Sequence, residues 1–187
     1  MIVDERLVTY INSLDTGNTE ILDQIEKEAI AAYVPIIRKE MQSFLKLLLA
    51  MQKPMRILEV GTAVGFSAIL MAQYAPADCK IVTIENYEKR IPVAKENFKR
   101  AGKDEQITLL EGDAMQILPT LSGEFDMIFM DAAKGQYINF MPDILRLLKS
   151  GGVLVSDNVL QDGDIIESHY VVERRNRTIY KRMREYM

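Results

Sequence analysis

Three stretches near the start of the chain repeat apolar residues every three or four positions. "DERLVTYINSL" and "TEILDQIEKEAIAAY" carry this spacing, and after Pro35 "IIRKEMQSFLKLLLAM" continues it. That period predicts one-sided helices. Gly17 and Asn18 separate the first from the second, and Thr19 stands where an N-cap belongs. Pro54 closes this helical region, which covers residues 1–53.

From residue 54 the period changes. Short apolar runs appear: "RILEV" at 56–60, "KIVTIE" at 80–85, "ITLLE" at 107–111, "FDMIFMD" at 125–131 and "GVLVSD" at 152–157. Between them lie amphipathic segments near 66–75, 88–101, 114–121 and 138–149. Strand-helix alternation of this kind predicts an α/β core with a mainly parallel, doubly wound sheet. The runs are apolar throughout, as strands covered on both faces require. "KSGG" at 149–152 reads as a helix stop, a basic last turn followed by glycines. One domain over 1–187, with its α/β core at 54–187, accounts for the whole pattern.

The strand ends carry the polar exceptions. Glu85, Glu111, Asp131 and Asp157 close or directly follow four runs, and Glu59 stands one residue before the end of the first. Ligands of doubly wound sheets bind beyond the carboxyl ends of the strands, so these acids fall where chemistry is done.

Composition narrows the reading by exclusion. A net charge of -4 rules out a generally nucleic-acid-binding surface but leaves room for a local basic patch. Cys79 is the sole cysteine, so no intrachain disulfide forms, in keeping with a cytoplasmic setting. The first residues carry acids and no apolar signal core, and "FLKLLLAM" is too short and too charged to span a bilayer, so no membrane association is expected. His169, the single histidine, reads as a surface residue.

"LEVGTAVGFS" follows the first run and opens a helix. Gly61 and Gly65 let the backbone turn sharply and approach a ligand. Ala63 occupies the place of the middle glycine of G-x-G-x-x-G, which argues against a dinucleotide and its pyrophosphate. S-adenosylmethionine needs no pyrophosphate site. Glu59 suits a cationic ligand, Glu85 can accept both ribose hydroxyls, and Asp113 in "EGDA" can accept the adenine amino group. Taken singly, the glycines read equally well as tight-turn residues and Glu85 as a helix cap. Their occurrence in order is what points to a cofactor.

"ILEVGTAVGFSAILMA", "GDA", "MDAAKGQY" and "SDNVL" together resemble the cation-dependent O-methyltransferases of the catechol and caffeoyl-CoA type, over about residues 33–160. "VPI" near 34–36, "DAAKGQY" and "DNVL" are most similar to a bacterial branch, the tRNA 5-hydroxyuridine methyltransferases. The resemblance implies a Rossmann-like class I methyltransferase fold. It implies S-adenosylmethionine contacts from Glu59, Gly61, Gly65, Ser67, Glu85, Asp113, Ala114 and Asp131. It implies a Mg²⁺ or other divalent cation held by Asp131, Asp157 and Asn158, with Lys134 as the catalytic base. A homodimer is expected.

The residues support the metal reading on their own chemistry. Asp131 and Asp157 end runs that should neighbour each other in the sheet, about 4.8 Å apart. With Asn158 they form an all-oxygen set suited to Mg²⁺. Alternatively each aspartate caps the next helix, and Lys134 forms an ordinary ion pair. A substrate with two adjacent oxygens fits such a centre; the resemblance to the tRNA branch makes 5-hydroxyuridine in tRNA, giving 5-methoxyuridine, the expected acceptor, with a small catechol-type or caffeoyl-CoA-like phenol as the alternative. "ERRNRTIYKRMRE" at 173–185 concentrates Arg174, Arg175, Arg177, Lys181, Arg182 and Arg184, a candidate phosphate-binding patch or a solvated helix face. Arg38 and Lys39 are expected on the same rim. Two other classes compete: an NAD-binding oxidoreductase, opposed by Ala63, and a non-catalytic RNA-binding module, opposed by the metal set and Lys134. The resemblance also implies a closing antiparallel hairpin. No strand-like run follows Asp157, so a shortened sheet with an exposed fifth strand is expected.

Overall fold

The computed structural model describes residues 4–168 and 170–187. The expectation for His169, and the N-terminal reading where it rests on residues 1–3, lie outside the described residues.

Three helices come first: α1 (Glu5–Ser13), α2 (Glu20–Ala31) and α3 (Lys39–Gln52). The α/β core follows as β1 (Arg56–Val60), α4 (Phe66–Tyr74), β2 (Lys80–Glu85), α5 (Ile91–Arg100) and β3 (Ile107–Glu111), then α6 (Ala114–Ile117), β4 (Phe125–Met130), α7 (Tyr137–Leu147), β5 (Leu148–Ser156) and α8 (Arg177–Tyr186). The strands form one five-stranded sheet in the order β3-β2-β1-β4-β5, parallel throughout. Among the described residues no strand follows β5, which lies at the sheet edge.

The continuous apolar runs are explained by two cores, one on each face. Ile57, Met127 and Phe129 pack with Leu45, Leu49, Ile69 and Phe98 on the face covered by α2 to α5. Leu58, Val60, Ile128 and Met130 pack with Phe140, Ile144 and Met183 on the opposite face. Side chains alternate along each strand, so neighbours in sequence serve different cores. Among the described residues no helix is long and apolar enough to cross a membrane.

Two sequence expectations are corrected. The third helix begins at Lys39 rather than Ile36, because Arg38 is extended at ψ 156° and serves as its N-cap position. "KSGG" is not a helix end: α7 stops at Leu147 and β5 already includes Lys149–Gly152. Leu148 pairs with Phe125 and Val153 with Met127, so the four residues between them bulge out opposite Asp126. Gly151 takes φ +80°, and a Cβ on Gly152 would lie 2.9 Å from the Asp126 carbonyl oxygen. Both glycines answer to this bulge. Thr19 holds the N-cap position of α2, but its hydroxyl bonds Gln73 at 2.9 Å instead of the helix backbone.

Candidate active site

The strand order reverses direction about β1, so the chain leaves β1 and β4 toward opposite faces and a crevice opens between their ends. A cavity of about 810 Å³ lies there. Every strand end contributes: Gly61 after β1, Glu85 from β2, Asp113 and Ala114 after β3, Asp131 and Lys134 after β4, Asp157 and Asn158 after β5.

Gly61 is forced to be glycine. Its φ is +104°, and a Cβ would sit 2.2 Å from the Asp131 carbonyl oxygen. This close approach brings the ends of β1 and β4 together. Gly65, at φ +85°, faces the Phe98 ring, which a Cβ would meet at 2.5 Å. Ala63 is left-handed at φ 48°, and its N–H donates to Glu85 Oε2 at 2.7 Å. Glu85 Oε1 accepts from Asn86 N at 3.0 Å and Tyr87 N at 2.9 Å. Three backbone donors thus fix this buried carboxylate and leave room for about one more. Asp113 Oδ1 caps α6 through Met115 N at 2.9 Å while the residue lines the cavity.

Glu59, Gly65 and Ser67, expected among the cofactor contacts, are not among the residues lining the cavity. Glu59 is fully buried. Ser67 Oγ donates to its Oε1 and Thr83 Oγ1 to its Oε2, each at 2.5 Å, and the Thr62 and Thr83 hydroxyls lie 2.5 Å apart. Burial pushes the Glu59 carboxyl up to about 7, with Asp131 and Glu85 adding like charge against the two hydroxyl bonds. This acid ties β1 to β2 and α4 beneath the glycine turn.

The other end of the cavity gathers the metal candidates. Met130 and Ser156 are paired across β4 and β5, so Asp131 and Asp157 leave adjacent strands side by side. Burial raises the Asp157 carboxyl above its usual range, and the nearby Asp131 charge adds to this while Lys134 and Arg38 oppose it. Asn158 takes the left-handed region at φ 51°. Lys134 Nζ lies 2.7 Å from Asp131 Oδ1 and 3.0 Å from Tyr137 Oη. Tyr137 is fully buried, donates to the Met130 carbonyl at 2.7 Å, and has its phenol pKa driven strongly upward by burial and by Asp131 and Asp157. It stays a neutral phenol and cannot serve as base.

The donor set fits a hard cation. Two carboxylates with like charges side by side and one amide oxygen invite positive charge, which Lys134 partly supplies in this structure. Among the described residues no group of three His, Cys, Asp or Glu side chains forms a metal cluster, and Asn158, next to Asp157, lines the same cavity. Sequence reasoning missed Tyr137, whose signal was its spacing of three from Lys134, and also the cavity-lining Tyr87, Arg90, Met115 and Phe140. Lys39 pairs with Glu26 at 2.7 Å, whereas Arg38 lines the cavity. In the basic segment, Arg182 donates to the Gly135 carbonyl at 2.9 Å and Arg177 to the Val172 carbonyl at 3.1 Å, while Arg174, Arg175 and Lys181 are exposed.

The O-methyltransferase family profile matches residues 12–186, and the chain belongs to that family. It is 39% identical over 130 residues to the catechol O-methyltransferase of Niastella koreensis, covering 67% of this chain and 59% of that protein. The chain therefore spans less than two thirds of that relative. It is 35% identical over 160 residues to the catechol O-methyltransferase of Mycobacterium tuberculosis, covering 84% of this chain and 73% of that protein. Among solved structures, the O-methyltransferase TomG from Streptomyces achromogenes, in complex with S-adenosylmethionine, superposes with a TM-score of 0.85 at 28% identity, covering 100% of this chain and 85% of that one. The fold is the Rossmann-like α/β fold of class I methyltransferases.

Proposed function

We propose that this protein is a Mg²⁺-dependent O-methyltransferase that moves the methyl of S-adenosylmethionine to a hydroxyl lying next to a second oxygen. One observation carries the reading: Asp131, Asp157, Asn158 and Lys134 converge at one end of a cavity whose other end is lined by Glu85 and Asp113.

Asp131, Asp157 and Asn158 would hold the cation, and Glu85, Asp113 and the Gly61 turn would hold the cofactor. When bound, S-adenosylmethionine supplies an electrophilic methyl and the cation supplies charge that acidifies a hydroxyl. Glu85 orients the ribose through its remaining acceptor capacity. Tyr137 keeps the Lys134 amine at the cavity wall. Lys134 would accept the acceptor's hydroxyl proton at Nζ, and the freed oxygen pair would form the new bond to the methyl carbon as the carbon–sulfur bond breaks. S-adenosylhomocysteine leaves, and Lys134 returns the proton to water. Holding the reactants in line supplies most of the rate.

The catechol O-methyltransferase relatives support a small phenol with vicinal hydroxyls as the acceptor. A second reading, 5-hydroxyuridine in tRNA giving 5-methoxyuridine, is favoured by the exposed cations Arg174, Arg175 and Lys181 on an otherwise acidic chain. A cytoplasmic homodimer is the setting proposed for either.

Labelled S-adenosylmethionine, presented with catechol or with bulk tRNA, with and without Mg²⁺, tests the proposal. Transfer that requires Mg²⁺ is expected, and Lys134→Ala should lower turnover by about 10²–10⁴-fold, well beyond any loss of cofactor affinity. Transfer that persists in a chelator, or a Lys134→Ala variant with full rate at neutral pH, would remove the metal or the base from the mechanism. The acceptor that becomes labelled decides between phenol and tRNA.

A further inference from the structure

One residue of α8 joins the Lys134 turn to the end of β5 behind the cavity wall. Met130, which closes β4, offers a single carbonyl to both sides. It accepts the Asp157 N–H at 2.9 Å and the Tyr137 hydroxyl at 2.7 Å. Tyr137 Oη in turn lies 3.0 Å from Lys134 Nζ. Tyr186 reaches both sides of this junction. Its ring meets the Tyr137 ring edge-on, with centroids 5.5 Å apart and planes at 71°. Its hydroxyl lies 2.5 Å from Ser156 Oγ, a hydrogen bond that either oxygen can donate. Ser156 pairs with Met130 across β4 and β5 and directly precedes Asp157 and Asn158. Tyr186 is half-buried and does not line the cavity, so it reaches the site through these neighbours.

The two contacts serve different parts of the site. The hydroxyl fixes the last residue of β5, whose successors Asp157 and Asn158 would give two of the three cation ligands. The ring limits the swing of Tyr137 and so of the amine beside it. Lys134 Nζ also lies 2.7 Å from Asp131 Oδ1. A cation held by Asp131, Asp157 and Asn158 would compete with the amine for that carboxylate. Lys134 would then rely on Tyr137 to keep its place, and Tyr137 relies on the Met130 carbonyl and on Tyr186. A misplacement of about 1 Å at this point can cost on the order of 10²-fold in rate.

We infer that Tyr186 is a positioning residue with two separable actions: its hydroxyl sets the cation-binding end of β5, and its ring sets the base. The inference rests on the proposed Mg²⁺-dependent methyl transfer and adds the residue that keeps its two working parts in register. Three measurements test it on the full chain: Mn²⁺ affinity by electron paramagnetic resonance, S-adenosylmethionine affinity by calorimetry, and kcat at saturating Mg²⁺ with the acceptor that the protein labels. Tyr186→Phe keeps the ring and loses the bond to Ser156. It should weaken Mn²⁺ binding by about 3- to 10-fold and leave kcat at saturating Mg²⁺ within about twofold. Ser156→Ala should do the same, and the double variant should be no weaker than either single one, because both remove one bond. Tyr186→Leu loses the ring as well and should also lower kcat by about tenfold. Cofactor affinity should stay within about twofold throughout, since Glu85 and Asp113 lie at the other end of the cavity. Mn²⁺ losses that add in the double variant, an unchanged kcat in Tyr186→Leu, or cofactor affinity that falls with the rest would mark general destabilisation. Each overturns the inference and leaves the methyl transfer standing. A wild-type protein that binds no Mn²⁺ overturns both.

Discussion

Glu59 has two hydroxyl partners and no solvent, and that combination sets how the fold responds to pH. Burial raises its carboxyl from 4.5 to about 7, so the folded protein binds this proton more tightly than the unfolded chain. The stability it contributes is fully present below about pH 4.5 and is lost as pH rises through about 7. The loss is bounded at about 3 kcal/mol. Glu59→Gln mimics the neutral acid and should remove this slope. Urea midpoints at pH 5.5 and pH 8 should therefore differ more for the wild type than for the variant, and equal differences would reject the assignment. Position made the strand-end acids legible as chemistry: Glu85, Asp131 and Asp157 line the cavity, whereas Glu111 does not and pairs with Lys95 on the surface. The sequence did not separate Glu59 from them. It stands one residue before the strand end, so its side chain points into a sheet face, and one position of alternation decides between ligand contact and scaffold.

At the scale of elements, apolar runs gave the inner strands because β1, β2 and β4 are buried on both faces, and β1 to β3 fall where the pattern sets them although the edge strand β3 is only partly buried. The boundaries that failed are set by tertiary contacts. Residues 36–38 have helical spacing but are drawn out by the cavity wall and the Gln42 bond to Ile37. Lys149–Gly152 has the composition of a helix stop but is a bulge fixed by Asp126. The basic segment, read from composition as a surface, is partly a brace. α8 lies over the turn that carries Lys134, with Ile179 and Arg182 against Gly135 and the Tyr186 ring edge-on to Tyr137 at 5.5 Å. Arg182→Ala should leave the Gly135 carbonyl without its donor and cost about 1–2 kcal/mol of stability. Turnover should fall roughly 3- to 10-fold as Lys134 loses its alignment. Denaturant melts and steady-state rates read both effects, and an unchanged kcat would show that the turn holds without α8.

For the molecule as a whole, the split of the basic segment changes what an RNA reading requires. Arg177 and Arg182 are engaged with backbone carbonyls, and Arg184 packs over the Tyr180 ring at 5.2 Å. Phosphate contacts then fall to the exposed Arg174, Arg175 and Lys181, of which Arg175 and Lys181 would have to leave surface pairs with Glu173 and Glu185. If tRNA is the acceptor, log affinity should fall with log salt by about 0.7 to 0.9 per contact, and replacing these three cations together should flatten that slope. A slope near zero in the wild type would leave only the small acceptor. The sheet order has a further consequence, for the order of assembly. β1 lies between β2 and β4, and its pairing with β4 joins residues 57–60 to residues 127–130. No local hairpin helps close so distant a pair, and non-local parallel pairing folds slowly. The central strand should therefore belong to the folding nucleus, and the edge strand β5 should join later. Leu58→Ala should chiefly slow refolding, whereas Val153→Ala should chiefly speed unfolding, a contrast that the two arms of a chevron plot resolve.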